Sequence, residues 1–121
     1  MDPANLRLAI VWVVVVLIYL YGDILRFIAG DFTPGEIDGQ PLSQGMMMAM
    51  AAMMLMPMLM VFLSTVLPDP INRWANTIVA GFFIVINLVG LPGYPGWYDR
   101  FLLVVSMVFN GVTIYYAWTL L

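Results

Sequence analysis

Two ionisable side chains, Asp23 and Arg26, stand inside an otherwise apolar stretch, three residues apart. On a helix that spacing brings them to one face, together with Tyr19. An ionisable residue within a run of this kind is a candidate ligand or proton site. The alternative is an ion pair near the end of the helix, where Arg26 complements the helix C-terminus and extends its head toward water. Both readings stay open at this stage. Further along, Asn76, Ala80 and Asn87 fall on one face of a third apolar run. Ser106 and Asn110 share a face of a fourth at i, i+4, and Thr113 continues it. These groups are expected to converge on a polar cluster near Asp23, with Asp99 and Arg100 at its mouth. The candidate ligand or ion residues are therefore Asp23, Arg26, Asn87, Ser106, Asn110 and Arg100. The bland role for the amides and hydroxyls is to join helices, each bond contributing about 0.6–2 kcal/mol.

The residue types that are missing narrow the chemistry. The sequence contains no Cys and no His. Thiol exchange, iron–sulfur ligation and disulfides are excluded, and so are the commonest metal ligand and the usual general base. All four basic residues are Arg (7, 26, 73 and 100), so no Lys is available for a Schiff base. An enzyme is not expected, no catalytic residue is assigned, and no cofactor or metal is indicated. The run from Met46 to Met60 is rich in thioethers, soft ligands for Cu(I). Its methionines spread round the whole helix, however, and read as flexible apolar filler beside alanines that allow close helix approach. Asp31, Glu36 and Asp38 read as a solvated acidic loop.

The elements that must position these residues follow from composition. Of 121 residues, 64% are hydrophobic and 9% charged, against about half and a quarter in soluble domains. Four apolar runs cover about 7–27, 45–67, 71–91 and 99–120, and about 20 helical residues cross a hydrocarbon layer about 30 Å thick. The expected architecture is an all-α integral membrane protein: one four-transmembrane-helix bundle with its N and C termini on the same side. The first run is read as an uncleaved helix, since Asp2 and Arg7 cancel where a signal peptide would be basic. Pro57 is expected to kink the second helix. Asp69 is expected to cap the third, with Pro70 at its first position. Arg7 preceding the first helix favours cytoplasmic termini. Trp12, Trp74 and Trp118 would then mark one interface, and Tyr94, Trp97 and Tyr98 the other. Arg73, Trp74 and Asn76 are assigned, with Asp69, to capping and helix interfaces. A net charge of −3 without a basic tract argues against nucleic acid.

Tyr21-Gly22-Asp23-Ile24-Leu25, Ile71-Asn72-Arg73-Trp74-Ala75-Asn76 and the closing Ile-Tyr-Tyr-Ala-Trp at 114–118 carry a resemblance. The chain resembles a family of small bacterial four-helix membrane proteins of unassigned function, and in layout it is similar to DoxX-like proteins. The resemblance implies a bacterial inner-membrane location and no known activity. The leading expectation is a non-enzymatic structural or accessory bundle in the lipid bilayer that self-associates, as a homo-oligomer or a subunit of a larger assembly. Small residues such as Ala49, Ala51, Ala52 and Gly81 would allow close packing. The alternative is a transporter or channel subunit with a polar site around Asp23, Asn87 and Asn110.

Overall fold

The computed structural model describes residues 2–31, 33–37 and 39–121. Four long helices account for most of it: α1 (Pro3–Ala29), α2 (Gln44–Val66), α3 (Asp69–Gly90) and α4 (Trp97–Thr119). All four are long and apolar enough to cross a membrane. Consecutive helices are neighbours and α4 closes back on α1, while α2 and α3 touch least. The connection from α1 to α2, read from sequence as a plain polar loop, contains a small antiparallel ladder, β1 (Glu36–Ile37) with β2 (Gln40–Pro41). A short 3-10 turn at Leu91–Gly93 links α3 to α4.

Local chemistry sets the helix ends. The side chain of Asp2 accepts from the Ala4 amide at 3.1 Å and Ser43 accepts from Met46 at 3.1 Å, each satisfying a free N–H of a first turn. α1 ends at Gly30, whose φ of 77° permits the left-handed cap and returns its N–H to the Arg26 and Phe27 carbonyls. That end lies two residues beyond the boundary expected from the apolar run. The cap expected at Asp69 falls one residue earlier, at Pro68. Asp69 is the first helical residue and makes no capping bond, so its contribution is charge in a first turn. α2 runs unbroken through Pro57, which is buried.

The interior is unusually polar. Ser64, Asn72, Asn76, Asp99, Ser106, Asn110 and Thr113 are all buried, whereas long rows of Leu, Ile, Val, Met and Phe face outward. A compact apolar cluster of Trp12, Val15, Met60, Ala80 and Phe83 fills the middle. Beside it, Asn76 is a hub. Its Oδ1 accepts from Trp12 Nε1 at 2.7 Å and from Ser64 Oγ at 3.3 Å. Its Nδ2 donates to the Asn72 carbonyl at 2.9 Å and to Asn72 Oδ1 at 2.6 Å, while Asn72 Nδ2 donates to the Ser64 carbonyl at 2.9 Å. Three helices are joined through one amide. Trp12, expected at an interface, is fully buried because its indole N–H finds this acceptor inside the bundle.

At the same end, Arg73 donates to the Ala117 and Leu121 carbonyls at 3.2 and 2.6 Å, supplying donors to the free carbonyls that finish α4. Its guanidinium also lies over the Trp118 ring, which stands edge-on to Trp74. Arg73, Trp74 and Asn76 each make side-chain contacts to another helix here.

Removing the hub should cost more than removing one spoke. Trp12→Phe deletes a single interhelical bond and is expected to lower stability in detergent by about 1 kcal/mol. Asn76→Ala strands the Trp12 and Ser64 donors and is expected to cost about 2 kcal/mol or more. Thermal unfolding followed by circular dichroism measures both. Equal losses would mean that the bonds act singly.

Candidate functional site

At the opposite end of the bundle from Arg73, α1 finishes and α4 begins. The two helices run antiparallel here, and Tyr98 in the first turn of α4 donates to the Asp31 carboxylate just beyond α1. Between them and the adjoining parts of α2 and α3 lies a half-open cavity of about 190 Å³. Tyr19, Asp23, Arg26, Asn87 and Asp99 supply its polar wall, and Met53, Met54, Phe83, Ile86, Leu102 and Leu103 are among its apolar lining.

The charges form a chain. Arg26 pairs with Asp23, its neighbour one helical turn back, as the spacing indicated. The same guanidinium reaches Asp99 at 3.7 Å and lies over the Tyr94 ring at 5.3 Å. The two carboxylates differ sharply in environment. The Asp23 side chain is 53% exposed, whereas that of Asp99 is 5% exposed. Asp99 Oδ2 is enclosed and accepts no hydrogen bond, so one oxygen of a buried carboxylate lacks a donor. That is a costly arrangement unless a proton or a further cation completes it. Gly22 faces this group. A Cβ at that position would lie 3.9 Å from Asp99 Oδ1 and from Leu102, in ordinary contact, so the backbone of α1 packs close against the carboxylate.

A second polar group lines the wall. Asn87 Nδ2 donates to Tyr19 OH at 2.8 Å and to Ser106 Oγ at 3.4 Å, and Ser106 donates to the Leu103 carbonyl at 2.6 Å. These bonds tie α3 to α1 and α4 and present the phenol and amide toward the cavity.

The structure brings together Asp23, Arg26, Asn87 and Ser106 from the expected set. It does not bring in the rest. Asn110 is fully buried but lies deeper along α4, away from the cavity lining, and neither its Nδ2 nor its Oδ1 has a partner. Arg100 turns the other way. It donates to the Tyr94 and Pro92 carbonyls at 2.7 and 3.4 Å and covers the Trp97 ring, holding the α3–α4 turn in place. Asn76 belongs to the hub at the other end. Of the acidic loop, Asp31 is engaged by Tyr98, Glu36 is exposed, and Asp38 lies outside the described residues.

The residue underrated by sequence reasoning is Asp99. It had been placed only at the mouth, as an acid in a first turn. A signal was present: Asp99, Ser106 and Thr113 recur every seven residues, with Asn110 between, and all four lie on the buried face of α4. A polar group at the head of a polar stripe points inward with the rest of it.

The sequence matches, over residues 4–119, the model of a family described as "Family of unknown function (DUF6326)". No curated protein and no solved structure matches it.

The shared guanidinium gives a clear expectation. Arg26→Gln leaves Asp99 buried without a counter-charge and should destabilise the fold by about 2–3 kcal/mol, the partial exposure of Arg26 moderating the loss. Adding Asp99→Asn removes the stranded charge and should restore more than half of it. Additive losses in this double-mutant cycle, measured by unfolding in detergent, would show that the two residues do not interact.

Proposed function

We propose that this chain, which belongs to that family of unknown function, is a four-span integral membrane protein serving as a binding or transport subunit. Its site is the cavity between α1 and α4. The observation that carries this reading is Asp99: a carboxylate 5% exposed, one oxygen without a donor, on the wall of a cavity of about 190 Å³. Trp12, Ser64, Asn72 and Asn76, which join helices, find partners within the protein. An ionisable group kept incompletely satisfied among apolar helices suits a site that something else enters. Enzymatic chemistry has little to work with here. The cavity wall offers carboxylates, a phenol, an amide and one guanidinium already shared three ways, and no nucleophile paired with a base.

The outward rows of apolar side chains support lipid as the surrounding medium, with both termini on one face of the bilayer, the cytoplasmic one. The bacterial inner membrane is the proposed location. One further observation favours a second reading, the self-associating accessory bundle. The first two turns and more of α2, from Gln44 to Ala52, are exposed throughout, including the small residues Gly45, Ala49, Ala51 and Ala52. In lipid, small residues of this kind permit a second helix to approach closely. The two readings are compatible, but only the first uses the cavity.

The absence of native Cys makes introduced thiols the natural test. In proteoliposomes, a Met54→Cys variant should react with a membrane-impermeant methanethiosulfonate reagent from the side that labels Glu36→Cys. Thr119→Cys should label from the other side only. A Met54→Cys thiol inert from both sides would make the cavity a sealed packing gap and would sink the binding-site reading.

A further inference from the structure

Resting on the reading of the cavity as a binding site, we propose that its ligand is a compact monocation: an ammonium group on a short apolar body, seated against Asp99. The charge count points this way. The wall carries two carboxylates, Asp23 and Asp99, and a single guanidinium, Arg26. Arg26 is closest to Asp23, meets Asp99 only at 3.7 Å, and spends its π-facing surface on Tyr94. One negative charge is therefore incompletely balanced in a region of low dielectric, where electrostatic attraction to an entering cation is strong. An ammonium supplies what is missing, a positive charge and N–H donors beside a carboxylate of the cavity wall that Arg26 meets only at 3.7 Å.

The alternatives fit worse. An anion would meet a guanidinium that is already engaged and two carboxylates that repel it. A neutral guest would leave Asp99 as it is. A small metal ion asks for several oxygen ligands or retained waters, and most of the wall is Met, Ile, Leu and Phe. The same apolar wall suits a short hydrocarbon body. Tyr19 and Phe83, whose ring centroids are 5.9 Å apart, add aromatic surface of the kind that attracts ammonium groups. Size limits the guest. Pockets for drug-sized ligands run to about 300–1,000 Å³, and this one is smaller, so a few carbons are the limit.

Ammonium chemistry is available from two sources, a free amine or the headgroup of an aminophospholipid, and the experiment separates them. The protein is reconstituted in nanodiscs of phosphatidylglycerol alone, which carry no ammonium, and butylammonium, butanol and butyrate are titrated by calorimetry. Butylammonium is expected to bind at least tenfold more tightly than butanol, with butyrate silent. Asp99→Asn is expected to weaken butylammonium at least tenfold while leaving the fold intact, because Arg26 keeps Asp23 as partner. Met54→Trp, which fills the cavity without touching a charge, should abolish binding as well. Repeating the titration with phosphatidylethanolamine in the discs identifies the source. A loss of apparent affinity for butylammonium assigns the site to the lipid headgroup, and an unchanged affinity assigns it to the free amine. Butanol binding as well as butylammonium, or Asp99→Asn binding within twofold of the parent, would overturn the cation assignment while leaving the cavity a binding site. If none of the three probes bound while Met54→Cys was also sealed, the underlying reading would fall with it.

Discussion

The amide of Asn76 sets the register on which the rest of the molecule depends. In a bundle whose helices are apolar nearly all the way round, burial of hydrocarbon does little to choose which face of each helix turns inward, because most faces would serve. A directional bond does choose. Asn76 Oδ1 accepts from Trp12 of α1 and Ser64 of α2, which fixes three helices in rotation and in height. The consequences propagate along each axis. Tyr19 follows Trp12 by seven residues, and Asn87 follows Asn76 by eleven, each a near-whole number of turns. Two residues that meet therefore turn two others further up toward each other, and the long Tyr19 side chain spans the difference in height to bond Asn87 at 2.8 Å. The cavity wall is assembled by a contact made well away from it.

Much of the architecture was legible before any coordinates, and the reasons are simple. Helices long enough to span hydrocarbon leave an unmistakable trace as uninterrupted apolar runs, and glycine and proline mark the connections between them. The pairing of Asp23 with Arg26 followed from helical spacing, and the convergence of Asn87 with Ser106 from depth along neighbouring helices. What stayed hidden was rotation. Trp12 looked like an interfacial anchor because tryptophan favours that position, but a buried acceptor won its indole N–H. Arg100 was placed at the mouth on height, and its azimuth carries it elsewhere; Asn110 shares the buried face with Ser106 but lies too deep along α4 to reach the lining. Asp99 was misjudged for a related reason. Three residues past a Pro-Gly pair, it reads as an acid decorating a helix start. It is covered because α1 continues to Ala29, its neighbour Tyr98 reaches Asp31 across the mouth, and Arg26 holds Tyr94 alongside.

The two ends of the bundle handle polarity differently. Around Asn76 and Arg73, most donors and acceptors are matched, down to the free carbonyls at the end of α4, with Asn5 Oδ1 in the first turn of α1 left without a partner. Around Asp99 the matching is incomplete, and Arg26 serves two carboxylates of very different exposure. Between the ends lies Asn110, whose amide is unpartnered on both atoms in the middle of α4. Incomplete matching costs stability. Only the unmatched oxygen of Asp99 lies on the cavity wall; the unpartnered groups of Asn110 and Asn5 lie deeper along α4 and in the first turn of α1.

The purely apolar contribution of α2 to the chamber has a mechanical corollary. Asp23, Arg26, Asn87 and Asp99 all belong to α1, α3 and α4, whereas Met53 and Met54 are the contribution of α2, the helix with the fewest buried residues. Its hydrogen-bonded tether to α3 is Ser64, ten to eleven residues and roughly 16 Å of helix away toward the other end. A small roll of α2 about that pivot would change the width of the chamber by sliding thioethers along it, without disturbing one hydrogen bond or ion pair of the polar wall. The width of the chamber and the charge on its wall are thus set by different helices.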